Sequence, residues 1–381
     1  MEKLRRALWA SLFAIASSAC GTKLHAPLVF LPVGTSIVAG SESGVVALDL
    51  RTGKPLWEHA VERRLAKIAA SPGGDFVLVQ YAATAARGSP SAFVVLSSAT
   101  GQVTGRVTDP AASLVYTDDA PVRVDGGRPP HLVSDDGKWF VSASFAGLRI
   151  FEVPTAKLAF EDADAYGPAG FQLGSSQLAV VTKNGLGIYA VANGGWARIA
   201  EIPQVFHFWW TSRGLFFLVG DTLHVWRDGA SSALLQLKIE ASDVGGRHIF
   251  FDESGDRVAV QTPETELVIY TLPAGDTVLR VPKVRDLRAV MFDGSIARVL
   301  TYVTESDDRR AVVTEYDLSN GQQRGRVELE IVQRLERRGF FSFGLGGGWQ
   351  SYRSYMLGPR GLFVGKLEKG DFEMKAMPWA K

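Results

Sequence analysis

Residues that could carry catalysis or bind a metal are few in this chain, and their spacing fits neither chemistry. Three pairs of neighbouring aspartates lie in stretches whose composition is typical of turns: Asp118 and Asp119, Asp135 and Asp136, and Asp307 and Asp308. The six histidines are scattered at positions 25, 59, 131, 207, 224 and 248. No two of them have the short spacing of paired metal ligands, and the chain has no nucleophile elbow or phosphate loop. We therefore predict no metal and no cofactor, and a non-catalytic function is favoured.

The only cysteine, Cys20, follows a segment with the pattern of a secretory signal. The chain opens with the basic stretch "MEKLRR", continues with the uncharged run "ALWASLFAIA" at 7–16, and then has the small residues 17–19. A basic start, a short apolar run and small residues at the cut are typical of a signal peptide. The apolar run is too short to span a bilayer, which takes about 20 residues. A single cysteine also excludes an internal disulfide.

The surroundings of Cys20 resemble the lipobox of bacterial lipoproteins. In that family the signal is cut just before a cysteine, which carries the lipid and becomes the new N-terminus. Ala19 and Gly21 fit the pattern, whereas Ser17 stands where the family usually has an aliphatic residue. The resemblance implies a signal peptide at 1–19, a lipidated linker at 20–26 and membrane attachment through the lipid. The alternative is an ordinary signal peptide that ends near Cys20.

Net charge and composition limit the classes of partner. Removing residues 1–19 takes away three basic residues and one acidic residue, so the formal charge changes from +1 to −1. A domain this close to neutral has no electrostatic reason to bind nucleic acid. With 46% hydrophobic and 21% charged residues, the chain can bury a large core.

A segment near the C-terminus combines arginines with aromatic residues. It lies in the stretch 330–357. This stretch and the stretch 108–132 both lengthen the regular spacing between turns that is described below. Arginine and aromatic side chains are enriched at the centres of protein interfaces, and long loops on rigid scaffolds often carry function. We predict a partner-binding loop here, the alternative being a basic solvated turn followed by an ordinary strand. Its candidate residues are Arg334, Arg337, Arg338, Phe340, Phe341, Trp349 and Tyr352.

Two recurring patterns indicate the elements that position these residues. The first is a four-residue turn followed by a β-rich run, as in "SPGGDFVLVQ" (71–80), "SDDGKWFVSA" (134–143) and "DESGDRVAVQ" (252–261). The second is a strand, a short turn and another strand, as in "VVALDLRTGKPLWEH" (45–59). The second turn recurs about every 45 residues, which leaves room for about four strands per step and no convincing helix.

Repeats of about 45 residues with four short antiparallel strands are typical of a β-propeller. We therefore predict an all-β chain in which residues 27–381 form a single propeller of four-stranded antiparallel blades. Counting the first turn gives eight blades and counting the second gives seven plus a remnant; eight blades are favoured, and seven is the alternative. Few residues follow Gly361, so the last blade is expected to be incomplete, and "PLVFL" (27–31) is a candidate strand to complete it.

Large aromatic residues recur on the predicted strands, and we expect them to pack between blades rather than to stack on a ligand. They are Trp57, Phe93, Trp139, Phe151, Trp226, Tyr270 and Tyr316.

The stretch "SESGVVALDLRTGKPLWEH" (41–59) resembles a repeat of the pyrroloquinoline-quinone-like propeller family, and the remaining repeats are also similar to WD-repeat-like propellers. In that family the Thr-Gly turn and the Trp dock one blade onto the next. The resemblance implies a blade-docking motif of Asp49, Thr52, Gly53 and Trp57. Quinone enzymes of this fold typically use an adjacent cysteine pair, which this chain lacks, so the motif is interpreted as structural.

A lipid-anchored propeller resembles the BamB-type lipoproteins of the outer-membrane barrel-assembly machinery. That resemblance implies a non-catalytic scaffold that binds envelope proteins. The outer membrane, facing the periplasm, is favoured because Gly21 is not the Asp typical of inner-membrane retention. The alternative is a propeller enzyme, or a sensor that binds a ligand or glycan in the central channel.

Overall fold

Within the part of the chain that the structure describes, every regular element is a β-strand. The computed structural model describes residues 29–33, 36–40, 44–49, 54–62, 65–81, 91–109, 131–144, 147–205, 207–227, 229–237, 249–305, 308–336, 348–351, 353–358, 361–368 and 371–378. Among these residues, no helix has the length and apolar character that crossing a membrane requires.

The described strands form eight antiparallel sheets, in which each strand pairs with its neighbours in sequence. Sheet 1 contains β1 (Val29–Val33), β2 (Ser36–Gly40), β3 (Gly44–Asp49) and β4 (Pro55–Ala60). Sheet 2 contains β5 (Leu65–Ala70), β6 (Phe76–Tyr81), β7 (Ser91–Ser97) and β8 (Val103–Asp109). Sheet 3 contains β9 (His131–Val133), β10 (Trp139–Ser144), β11 (Gly147–Glu152) and β12 (Lys157–Asp162). Sheet 4 contains β13 (Ala165–Phe171), β14 (Leu178–Thr182), β15 (Gly185–Ala192) and β16 (Gly195–Pro203).

The second half repeats this order with one longer and one shorter sheet. Sheet 5 contains β17 (Phe208–Thr211), β18 (Gly214–Val219), β19 (Thr222–Arg227) and β20 (Ala230–Gln236). Sheet 6 contains β21 (Ile249–Phe251), β22 (Arg257–Gln261), β23 (Leu267–Thr271) and β24 (Thr277–Val281). Sheet 7 contains β25 (Leu287–Asp293), β26 (Ile296–Glu305), β27 (Asp308–Asp317), β28 (Gln323–Glu336) and β29 (Gly348–Ser351). Sheet 8 contains β30 (Arg353–Gly358), β31 (Gly361–Glu368) and β32 (Asp371–Pro378).

The turn between the first and second strands is set by local side-chain chemistry. In sheets 2, 3 and 6 the residue that opens this turn accepts a hydrogen bond from the backbone N–H five residues later: Ser71 from Phe76, Ser134 from Trp139 and Asp252 from Arg257. A glycine at positive φ completes each turn, at Gly74, Gly137 and Gly255. These turns confirm the first sequence pattern, in which Ser or Asp opens the turn and Gly supplies the left-handed conformation.

The core consists of six apolar clusters among the described residues, and each cluster lies between two successive sheets. Strand β18 shows why. Its neighbours Phe216 and Phe217 are each 1% exposed, yet Phe217 packs in the cluster shared with sheet 4 and Phe216 in the cluster shared with sheet 6. Successive side chains of a strand point to opposite faces, so this strand is buried on both of them. All seven recurring aromatics named above belong to these clusters, as expected for packing between blades.

The strands of each sheet are ordered from the centre of the molecule to its periphery. First strands of successive sheets contact one another, as β5 does with β9 and β21 with β25. Fourth strands have many exposed positions, as in β12 and β20. First strands therefore line the centre and fourth strands form the rim, which is the arrangement of propeller blades.

The described sheets number eight, and seven of them have at least four strands. The prediction of four-stranded antiparallel blades is confirmed. The expectation of a short last blade is also met, since sheet 8 has three strands among the described residues. The N-terminal prediction was wrong, because β1 (Val29–Val33) pairs with β2 of sheet 1 instead of completing the last sheet. Only two residues separate β1 from β2, so closing that hairpin costs much less chain entropy than joining the two ends of the chain.

Candidate functional site

Several residues named from the sequence lie outside the described residues. They are Cys20, Thr52, Gly53, Arg337, Arg338, Phe340, Phe341 and Tyr352. Of the three aspartate pairs, Asp118, Asp119 and Asp307 lie outside as well, whereas Asp308 begins β27.

The predicted partner-binding loop contains more strand than the sequence indicated. Arg334 lies on β28 opposite Gln350, and Trp349 lies on β29 opposite Leu335. The two strands are antiparallel, so Arg334 and Trp349 are brought within one register step of each other. Within the described residues, the stretch 330–357 therefore includes part of a strand pair that continues sheet 7, and a partner-binding role for it stays a prediction.

Trp57 connects sheet 1 to sheet 2. Its indole Nε1–H donates to the backbone carbonyl of Ser98, at 2.6 Å, across the sheet boundary. The ring also lies against Gly101, where an added Cβ would come within 2.6 Å of it. Asp49, the other described residue of the motif, closes its own turn through a bond from its backbone N–H to the carbonyl of Lys54.

Asp135 joins three sheets at once. One carboxylate oxygen accepts the backbone N–H of Gly73 in sheet 2, at 2.5 Å, and the other accepts that of Gly174 in sheet 4, at 2.7 Å. Its neighbour Asp136 instead stabilises their own turn, accepting from Ser134 Oγ and the backbone N–H of Lys138. A role within their own turn was predicted for both residues. Asp136 has that role, whereas Asp135 instead links the turn to the two neighbouring sheets.

Six polar side chains meet between sheets 2 and 3, and we call them the polar cluster. The sequence patterns did not single them out as a group. The members of the cluster are Lys67, Gln80, Asp109, His131, Ser142 and Arg149. In sheet 3, His131 on β9 stands opposite Ser142, which stands opposite Arg149 on β11. In sheet 2, Lys67 on β5 stands opposite Gln80. Two of these strands, β5 and β9, are first strands, so the cluster reaches the centre of the molecule.

The cluster is charged and buried. Arg149 Nη1 pairs with the carboxylate of Asp109 at 2.7 Å, and both side chains are more than nine-tenths buried. Burial, together with the positive charges of Lys67 and Arg149, lowers the pKa of His131 to about 3. Burial also lowers the pKa of the Lys67 ammonium. His131 is therefore neutral near pH 7, and its ring packs on Phe93 with centroids 4.7 Å apart.

Apart from the carboxylate of Asp109, which pairs with Arg149, five polar atoms of the cluster have no hydrogen-bond partner within the described part of the chain. They are Gln80 Nε2, His131 Nδ1, Ser142 Oγ and the Nε and Nη2 of Arg149. Each belongs to a residue that is at most 7% exposed. Leaving one buried polar group unsatisfied costs about 1–3 kcal/mol, so five of them at one place indicate a polar occupant. The atoms are mainly N–H and O–H donors, a set that suits binding of an anion more than acid–base catalysis.

A sequence signal for these residues exists, but it is weak. Lys67 and Arg149 each interrupt an apolar strand, in "LAKIAA" (65–70) and "GLRIFE" (147–152). A lone charge in such a run often lies at a buried functional position. Their meeting depends on how neighbouring sheets stack, which no local pattern encodes. As for metals, the described residues contain no group of three His, Cys, Asp or Glu that could hold an ion.

Comparison with known proteins identifies the fold. No family model matches the chain, and no curated protein matches it in sequence. Among solved structures, BamB from Moraxella catarrhalis is similar with 14% identity over 89% of this chain and 91% of its own, at a TM-score of 0.54. A eukaryotic initiation factor is similar with 11% identity over 92% of this chain and 84% of its own, at a TM-score of 0.51. At these identities the similarity shows the fold alone, and the chain is a β-propeller similar to BamB.

Proposed function

We propose that this protein is a non-catalytic, membrane-anchored propeller lipoprotein that serves as a protein-interaction scaffold in the cell envelope. The observation that carries the proposal is the signal-type segment 1–19, which the only cysteine of the sequence, Cys20, follows directly. The first strand of the described residues begins at Val29, shortly after it. The lipid attaches to Cys20, and residues 20–26 link it to the propeller. The outer membrane, facing the periplasm, is the proposed location.

The fold supports this function physically. Successive sheets share buried cores, so the domain presents a rigid surface with loops at both ends of each strand. Anchoring confines that surface to one plane and raises its effective concentration towards envelope partners. The similarity to BamB in fold is consistent with such a role.

The proposed partner surface is the Arg–aromatic segment, which comprises Arg334, Arg337, Arg338, Phe340, Phe341, Trp349 and Tyr352. It continues from β27 and β28, whose 10 and 14 residues make them longer than most strands of the other sheets. Arginine and aromatic residues then supply the buried anchors of an interface.

Partner binding by added strands at the rim is disfavoured near the turns. The fourth strand of each of sheets 1 to 7 has a register shift against the third strand. The shift lies close to the turn that joins the two strands in sheets 1, 2, 3, 6 and 7, and further from it in sheets 4 and 5. Such bulges twist an edge and interrupt its ladder, which protects against edge-to-edge pairing. Recognition by side chains of the Arg–aromatic segment is therefore the favoured mode.

Fractionation of envelopes tests the anchor. We expect Cys20→Ser to release the protein from membranes, because the lipid attachment atom is lost, while the neighbouring Ser18→Ala remains bound. Crosslinking with mass spectrometry on the same envelopes identifies partners, and their crosslinks should be lost with the anchor. Retention of the Cys20→Ser protein at the wild-type level would refute lipid anchoring.

A second crosslinking comparison tests the partner surface. In the anchored protein, Trp349→Ala and Arg338→Ala should remove crosslinks to an envelope protein, whereas Leu158→Ala, an exposed residue on the rim, should not. An unchanged crosslink pattern in the first two variants would rule out the Arg–aromatic segment as the interface.

A further inference from the structure

The polar cluster has features of a ligand site that scaffolding does not require. Its five unpartnered polar atoms, counted within the described residues, belong to side chains that are all more than nine-tenths buried. Two of these atoms are the Nε and Nη2 of Arg149, which donate side by side from one edge of the guanidinium. That edge matches the two oxygens of a carboxylate or phosphate group, and the fork geometry makes such binding bidentate.

The charge of the cluster favours an anion over water as the occupant. His131 is neutral, Lys67 and Arg149 are positive, and Asp109 pairs with Arg149 through Nη1 on the other side of the guanidinium. Glu161, the register partner of Arg149 on β12, is exposed to solvent. The described groups that face the cluster thus leave one positive charge in excess, and a buried charge is costly unless it is paired.

We propose that the polar cluster binds a small oxyanion, a free carboxylate or phosphate compound, between sheets 2 and 3. The Nε–Nη2 edge of Arg149 holds two of its oxygens, Ser142 Oγ and Gln80 Nε2 donate to the ligand, and Lys67 balances its charge. The inner strands β5 and β9 place the site on the central side of sheets 2 and 3. This binding activity is independent of lipid anchoring and of the Arg–aromatic segment.

Calorimetric titration of the full chain in detergent tests the proposal with two probes, inorganic phosphate and acetate, at constant ionic strength. We expect saturable binding of one equivalent of at least one probe. Arg149→Lys should weaken it at least tenfold, because lysine keeps the charge but lacks the fork. Binding of acetate alone would identify a carboxylate ligand, and binding of phosphate alone a phosphate ligand.

Arg298→Lys is the matched control. Arg298 is equally buried, but its Nε and Nη1 already pair with Glu315 and Asp293 in sheet 7, at 2.7 and 2.9 Å. Its substitution should leave the affinity within twofold of wild type. Equal weakening by the two variants, or no saturable binding of either probe, would overturn the proposal.

A measurement on the wild-type protein covers the case in which Arg149→Lys does not fold. The ring nitrogen resonances of His131, identified by their loss in His131→Gln, should shift with the probe along the same binding curve. Saturable binding that leaves these resonances unmoved would place the anion elsewhere and would also overturn the proposal.

Discussion

Single residues at the sheet boundaries explain much of how this propeller holds together. Trp57 links sheets 1 and 2 by one indole hydrogen bond and by packing on Gly101. His131 is an ionisable side chain that burial keeps neutral near pH 7, so protonating it should destabilise the folded state. Both residues lie where one sheet meets the next, so their effects can be measured as changes in the free energy of unfolding.

The first prediction at this scale concerns pH. The folded-state pKa of His131 is about 3 against an ordinary value of 6.5, so between these values the unfolded chain binds the proton more tightly. Stability due to this residue is fully present above pH 6.5 and is lost as the pH falls towards 3, by at most about 1.4 kcal/mol per pH unit. Urea unfolding at pH 6.5, 5.5 and 4.5 measures that slope.

His131→Gln should flatten the pH dependence, because glutamine cannot take up the proton. His224→Gln is the control, since its pKa is also lowered by burial but it is less buried than His131. It should remove a smaller part of the slope. An unchanged slope in His131→Gln would show that this residue is not the acid-sensitive group.

The second prediction compares two glycines at the same kind of turn. Gly101 and Gly194 both have positive φ, at 69° and 83°, so alanine costs about 1–2 kcal/mol at either. A Cβ at Gly101 would also meet the Trp57 ring, whereas at Gly194 it meets no described atom within 4 Å. We expect Gly101→Ala to destabilise by about 1–3 kcal/mol more than Gly194→Ala.

Thermal or urea unfolding measures both variants. Equal losses in free energy of unfolding would contradict the docking of Trp57 against Gly101. In a Trp57→Phe background the loss of the indole hydrogen bond and the smaller ring should reduce the difference between the two glycine variants.

At the scale of elements, the turns between first and second strands do more than reverse the chain. The turn of sheet 3 reaches both neighbours through Asp135, and the turn of sheet 5 reaches sheet 6 through Ser212, which donates to the backbone carbonyl of Ser254 at 2.9 Å. These turns lie on one face of the propeller and connect successive sheets along it. Turn residues therefore link neighbouring sheets as well as reversing the chain within each hairpin.

The prediction for this scale separates the two aspartates of one turn. Asp135→Ala removes both contacts to the neighbouring sheets, and we expect a loss of about 1–3 kcal/mol, since bonds to charged groups are among the stronger ones. Asp136→Ala removes only bonds within the turn of sheet 3. Hydrogen exchange should rise at Gly73 and Gly174 in the Asp135 variant and not in the Asp136 variant. Equal exchange at those amides would refute the bridge.

At the scale of the whole molecule, the protein is a series of sheets in which each buries its faces against its neighbours. Every described apolar cluster joins only two successive sheets. Stability in such arrays is approximately a sum of sheet and nearest-neighbour interface contributions. A defect in one interface should therefore act mainly on the two sheets that share it.

The adjacent pair on β18 tests this organisation. Phe217→Ala and Phe216→Ala each remove a buried aromatic ring, and each should cost about 3–5 kcal/mol. Hydrogen exchange should increase mainly in sheets 4 and 5 for Phe217→Ala and in sheets 5 and 6 for Phe216→Ala. Identical exchange patterns for the two variants would contradict nearest-neighbour packing and indicate one undivided core.

The sequence by itself determined the all-β class, the four-strand repeat and the chemistry of the turns. These follow from short-range physics: Ser71 and Asp252 open turns because a side-chain oxygen reaches a backbone N–H a few residues away, and Gly74 and Gly255 tolerate positive φ. Alternating or continuous apolar runs then define strands with one or two buried faces.

Only the tertiary structure decided which residues meet across sheets. Lys67, His131 and Arg149 are distant in sequence and come together because sheets 2 and 3 stack in one register. The contacts of Asp135 with sheets 2 and 4 were decided in the same way. The physical reason is that packing between sheets depends on the shape and charge of whole faces, whereas sequence patterns report the local preferences of single strands and turns.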